Sequence, residues 1–228
     1  YQKGNVAIGR TIGYTSGAKT VRLDVQGEIR TGAGHRGAIG INSVAMGLYN
    51  EASGETSFAA GKSNKSIGSG SASFGDTNTN NGDNAFVLGS GNTVNTGSTN
   101  SFTGGGSNIM SGNYAFTMGL KNEVSGEASG AFGLGNTSSG ERSISIGFYN
   151  IASGGNSFAG GNNSTASADS SIAFGNTSKA TGRASTALGE FNQANGYSSV
   201  ALGNSSIASG KFSVATGIGA KTSSIMQT

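Results

Sequence analysis

STALGEFNQANGYSSVALGNSSIASG (185–210) states one phrase twice. Ser185-Thr186-Ala187-Leu188-Gly189 and Ser199-Val200-Ala201-Leu202-Gly203 each set an alanine between two larger residues and close on glycine. A second glycine follows seven residues later, at Gly196 and Gly210. Working outward, the closing glycine recurs at 47, 61, 75, 89, 105, 119, 133, 147, 161, 175, 189, 203 and 217, always 14 residues apart except for 16 between Gly89 and Gly105. A fixed period held over that many registrations marks stacked structural repeats.

The columns of this repeat carry physical meaning. Two residues before the closing glycine stands a small residue, such as Ala45, Ala59, Ser73, Ala131, Ser145, Ala173, Ala187, Ala201 or Ala215. On either side of it lie bulky apolar columns, and large–small–large with period two is strand alternation. The two bulky columns compensate each other. Phe58 accompanies Ala60, Phe102 accompanies Gly104 and Phe158 accompanies Gly160, while the order reverses at Ala72 with Phe74 and at Gly130 with Phe132. One ring per coil in either slot implies a shared space of fixed volume, because close packing penalises both voids and overfilling. Phe86 with Leu88 and Phe116 with Met118 exceed that allowance.

The second glycine (Gly54, Gly68, Gly82, Gly112, Gly126, Gly140, Gly154, Gly182, Gly196, Gly210) implies a second corner per coil. Glycine suits positive-φ corners. Asparagine three residues after the first glycine (Asn50, Asn64, Asn78, Asn92, Asn108, Asn122, Asn136, Asn150, Asn192) is expected to serve the first corner for the same reason.

Composition supports a repeat rod over other classes. The 228 residues include 42 Gly but no Pro, Cys or Trp, and 11% are charged. Glycine without proline or a strict three-residue period is not collagen, and strictly placed apolar residues argue against disorder. No disulfide or thiolate metal site is possible without cysteine. No apolar run approaches a membrane span, no secretion signal begins at Tyr1, and the chain reads as a piece of something longer. The net charge of +3 is concentrated in residues 1–36, which carry +4, leaving −1 for the rest. The repeats present no basic stripe of the kind that tracks nucleic acid.

Two short strands and two corners per 14 residues form one turn of a parallel β-solenoid, a flattened roll whose coils stack about 4.8 Å apart. The small column belongs in its narrow interior, so the bulky columns point outward and require covering by self-association. A monomeric roll that encloses the large residues is the alternative. The 16-residue coil between Ser90 and Gly105 is expected to bulge at a corner.

NSVAMG (42–47), RSISIG (142–147), SSIAFG (170–175) and SSVALG (198–203), followed by ASG or ATG, resemble head repeats of YadA-type trimeric autotransporter adhesins. The resemblance covers about Gly37 to Lys221. It implies an all-β, left-handed parallel β-roll assembled as a homotrimer, displayed on a bacterial surface appendage and binding an extracellular protein or glycan receptor. It divides the chain into an N-terminal cap (1–36), a roll domain (37–221) and a short tail (222–228). Within the cap, NVAIG (5–9) with TSG (15–17) reads as an isolated coil. Val21, Leu23 and Val25 alternate before a turn at Gln26-Gly27. LDVQGEIR (23–30) is similar to segments of phage tail fibres, which gives a receptor-binding fibre of a phage or contractile injection particle as the second reading.

Little in the chain suggests chemistry. His35, in GAGHRGAIG, has no acidic partner nearby in sequence, and neither a nucleophile elbow nor a P-loop is present. DTNTNNGDN (76–84) spaces Asp76, Asn78 and Asn80 like a calcium loop, but its glycine comes late and no Glu stands at the twelfth position. Eight of the eleven Phe fall in the bulky columns and so read as core or interface. Glu55, Asp83, Glu127, Glu141, Asp169, Arg183 and Lys211 follow the second glycine and should face solvent. The expectation is a non-enzymatic module with no catalytic residue, cofactor or metal, no nucleic-acid partner, no membrane contact in this segment and no binding residue singled out.

Overall fold

The computed structural model describes residues 28–35 and 37–223. The isolated phrase at 5–17, the alternation of Val21, Leu23 and Val25 and the turn at Gln26-Gly27 lie outside the described residues. Fourteen five-residue strands, from Ile29–Ala33 to Val214–Ile218, form one parallel sheet in chain order. Thirteen two-residue strands, from Glu51–Ala52 to Lys221–Thr222, form a second parallel sheet. Each coil after the first contributes one strand to each sheet, and coils pair only with the coils before and after them. Closing glycines pair with closing glycines throughout, as in Gly119↔Gly133. The described residues contain no helix. At about 4.8 Å per coil the rod is about 60 Å long.

The interior is as thin as its residues are small. From Ala152 to Ala215 it is a double row of alanines, ten in one buried cluster. The two rows are half a period apart and face each other across the roll. At two levels both rows carry a hydroxyl and the two meet: Ser66 Oγ donates to Ser73 Oγ at 2.8 Å, and Ser138 and Ser145 share a hydroxyl contact of 2.6 Å, whereas the buried hydroxyls of Thr103 and Thr117 have no partner among the described residues. The middle coils are filled differently, by Val87, Val94, Met110 and Val124, all fully buried. Five residues after the larger Met110 and Asn80, Ala115 and Ala85 replace the serine usual in that column. Constant interior volume explains the exchange.

The corners differ from the sequence expectation in two respects. The closing glycine does need positive φ (Gly119, φ 128°), but the second glycine does not: Gly126 lies outside the left-handed region. A Cβ on Gly126 would sit 2.0 Å from the Gly140 carbonyl oxygen of the next coil, so close backbone approach requires glycine there. The left-handed residue stands two places after each glycine, as at Lys121 (φ 56°) and Ala128 (φ 52°). The asparagine column is likewise not at positive φ, and its role is described below.

The first long strand, Ile29–Ala33, pairs residue for residue with Val44–Leu48, so the sheet begins upstream of Gly37. In the 16-residue coil both strands keep register with their neighbours. The two extra residues are taken up in a turn at the second corner, closed by Ser98 N donating to Asn95 O at 3.1 Å. Thr96 and Gly97 form its exposed tip. The expected bulge is therefore present.

A large residue cannot enter the alanine-filled part of this interior. Ala187→Leu is expected to destabilise by about 1–3 kcal/mol through overpacking. Thr186→Leu, one residue earlier on the outward face, should stay within about 0.5 kcal/mol. Thermal unfolding of the two variants checks the difference.

Candidate functional site

Because the interior takes the small column, the bulky columns on either side of it face out. Leu88 and Phe174 are each 50% exposed, and Met118 is 48% exposed. A monomeric roll enclosing these residues is ruled out by their exposure. The compensation between the two columns has a specific geometry. Phe58, Phe74, Phe86, Phe102, Phe116 and Phe132 form one continuous file of rings, with successive centroids 5.1, 5.4, 5.6, 4.8 and 5.1 Å apart. These spacings follow the strand spacing of the sheet. The file changes column at Phe74 and at Phe132, where a ring lies over the slot its small neighbour leaves open. A Cβ on Gly130 would approach Phe132 Cε2 to 3.3 Å, and one on Gly104 would approach Phe102 Cε1 to 3.1 Å. Further along, a Cβ on Gly160 would meet Phe174 Cδ2 at 2.5 Å.

The outward face is not uniform. In the coils of Phe116–Leu120, Gly130–Leu134 and Ile144–Phe148 the apolar surface extends to a third column, through Leu120, Leu134 and Phe148. The same column is polar towards the C-terminus. There Glu190 accepts from Asn176 Nδ2 at 3.1 Å and from Asn204 Nδ2 at 2.8 Å, joining three coils on the outside.

Inside, the asparagine column forms a ladder that registers the stack. Asn108 Oδ1 accepts from the backbone N–H of Asn122 at 2.9 Å, and Asn122 Nδ2 donates to the Gly133 carbonyl of the following coil at 2.9 Å. The same pattern links Asn50, Asn64, Asn78, Asn92, Asn108, Asn122, Asn136 and Asn150, all buried. Serine continues it at Ser164, Ser178 and Ser206, whose hydroxyls donate to the next coil's Gly175, Gly189 and Gly217 carbonyls. His35 stands at the start of this column, three residues after Gly32. Its Nε2 lies 2.9 Å from Thr31 O, and Asn50 Nδ2 donates to Met46 O with the same spacing in sequence. Its Nδ1 lies 3.1 Å from Asn50 O.

The remaining sequence candidates do not converge. Asp76 is exposed, Asn78 is spent on the ladder, and Asn80 is buried with its Nδ2 bonded to Ala72 O and Ala85 O, so the loop at 76–84 gathers no ligand set. Among the described residues no group of three or more His, Cys, Asp or Glu could hold a metal. Glu55, Asp83, Glu127, Glu141, Asp169, Arg183 and Lys211 are all exposed, and Arg142 forms an ion pair with Glu141. Two of the acids also brace the corner: Asp83 Oδ1 accepts from Ser69 N and Asp169 Oδ1 from Gly155 N.

The family model for the YadA head domain repeat matches residues 38–64, 125–150, 152–178, 166–192, 180–206 and 194–220, together more than half of the chain. The chain belongs to the YadA head family. No curated protein matches it. The unmatched stretch 65–124 holds Val87, Val94, Met110 and the 16-residue coil on the same backbone path.

Replacing a ladder amide tests its structural part. Asn122→Ala leaves the Asn136 N–H and the Gly133 carbonyl without their buried partners and should destabilise by about 2–6 kcal/mol, at about 1–3 kcal/mol for each orphaned group. Asn122→Ser, the residue this column uses at Ser164 and Ser178, should recover at least half of that loss in chemical denaturation.

Proposed function

We propose that this YadA head chain is the adhesive module of an extracellular fibre, assembled as a homotrimer of left-handed rolls on a bacterial surface and binding a host, matrix or cell-surface receptor. The observation that carries the proposal is the outward file of phenylalanines. A band two columns wide and about 60 Å long has a footprint on the order of 600 Å². That is at the upper end of what lone chains expose and close to the roughly 800 Å² per partner of a stable interface. Sister chains in parallel register would set these bands against one another around an axis, leaving the corners and the short-strand sheet to solvent. Membership of a family of trimeric adhesin heads supports the same reading. The corners vary from coil to coil on a constant backbone, which is the arrangement in which a rigid scaffold presents recognition residues.

Assembly would also multiply weak contacts, since linked sites bind at high effective concentration. Beads coated with the purified chain should be retained saturably on matrix-protein surfaces or epithelial cell layers. The double change Phe102→Glu and Phe116→Glu places charges in the middle of the band without touching the interior. It should lower retention at least about tenfold through lost multivalency while the circular dichroism of the roll persists. Retention no better than that of uncoated beads would overturn the adhesive reading.

A further inference from the structure

We infer that the second-corner edge around Gly97 and Tyr114 is a binding site for the neutral sugar units of an oligosaccharide; the inference rests on the adhesive reading and names the chemistry of the receptor. Most exposed tyrosines with a ring partner are already engaged. Tyr149 stands edge-on to Phe148 at 4.6 Å, and Tyr197 stands edge-on to Phe212 at 5.5 Å with Lys211 Nζ over both rings. Tyr114 is 63% exposed and has no ring or cation partner among the described residues. It occupies a left-handed position (φ 53°), as one residue does at every corner, in a column where asparagine recurs at Asn42, Asn84, Asn100 and Asn156 and a second ring stands at Phe212. Nothing in the fold calls for an aromatic ring at that corner.

Tyr114 lies one coil on from the 16-residue coil, its backbone N–H donating to Thr99 O at 2.9 Å. The extra residues Thr96 and Gly97 project from the coil before it, and a Cβ built on Gly97 meets nothing within 4 Å. The projection is held in place. Asn95 Nδ2 donates to Ser111 Oγ at 2.8 Å, and Thr99 donates through both N and Oγ1 to Asn113 Oδ1 at 2.9 and 3.1 Å. Fixing a recognition element before binding removes part of the ordering cost. Along the same edge Asn84 and Asn100 are exposed, and room for the Asn84 amide comes from Gly70 in the preceding coil, where a Cβ would lie 2.5 Å from Asn84 Oδ1. Asp83 is exposed with one oxygen on Ser69 N and the other free to accept.

Sugar rings match this set. The C–H face of a pyranose packs on an aromatic ring, and its hydroxyls both donate and accept, as the amides of Asn84 and Asn100 do. The sign of the corner argues for neutral units. Asp83 and Glu127 flank the edge, and Thr99 and Asn113 between them are uncharged, so an anionic sugar or phosphate polymer would be repelled.

The test is a glycan array carrying neutral hexose and N-acetylhexosamine oligosaccharides beside sialylated and sulfated ones, probed with the labelled full chain. Binding confined to neutral oligosaccharides is expected. Tyr114→Asn returns the residue this column favours, and deletion of Thr96 and Gly97 restores a 14-residue coil, so both variants should melt at or above the parent while losing at least about tenfold in affinity. Tyr114→Phe keeps the ring and should bind within about threefold of the parent. No binding to any sugar, preference for the anionic set, or unchanged affinity in Tyr114→Asn would overturn the inference. A chain that adheres to cells yet binds no sugar overturns this inference alone; one that does neither removes the adhesive reading with it.

Discussion

The thinness of the roll interior governs the rest of this structure. Successive coils approach so closely that a Cβ on Gly119 would lie 2.0 Å from the Gly133 carbonyl oxygen, and the space between the two sheets holds little more than a pair of methyl groups, such as those of Ala180 and Ala187. A coil of this length cannot enclose a phenylalanine. Apart from Val87, the large apolar residues of the long strands are therefore turned outward, and the apolar surface that a globular domain would hide becomes the outer face of the rod.

Cohesion within one chain then comes from elsewhere. Each coil is hydrogen-bonded to two neighbours along both sheets, so only the terminal coils of the stack present strand edges, and the edges that invite unwanted pairing are few. The asparagine ladder adds a second, buried set of coil-to-coil bonds in which side-chain amides substitute for the water that corner carbonyls would otherwise need. Because each amide must meet the backbone of the following coil, the ladder penalises any slip in register. The outward file of rings lies on the same repeat, so its spacing is dictated by the strands beneath it and not by the rings' own preference.

Much of this was legible in the chain. The 14-residue period, the alternation around Ala187 and Ala201, and the complementary pairs such as Phe102 with Gly104 gave the solenoid, its alanine interior and the outward direction of its bulk. The bulge was legible from the count of residues between Gly89 and Gly105. Other features were hidden for identifiable reasons. Asparagine is equally at home at positive φ and in a buried amide ladder, and one residue's difference in position decides between them; the left-handed residue proved to be Lys121 and its equivalents, with Asn122 turned inward. Glycine is needed both for positive φ and for close approach, so Gly126 could not be told from Gly119 by type alone. The coil of Ile29–Ala33 was masked because its spacing to the next is 15 residues and its strand carries Arg30 and Thr31 where later coils carry alanine and an apolar residue. His35 looked like an isolated loop residue for the same reason, although its position three after Gly32 is the asparagine position. The serine pairs across the roll left a usable signal, a hydroxyl residue repeated at seven.

The outward face needs a cover, and the account holds that sister chains supply it. The most direct measurement is the mass of the purified, unaltered chain in solution, by sedimentation equilibrium or native mass spectrometry across a wide concentration range. A species of three times the chain mass that persists on dilution is the predicted result. A soluble, fully folded single chain with Phe102 and Phe116 open to water would contradict it.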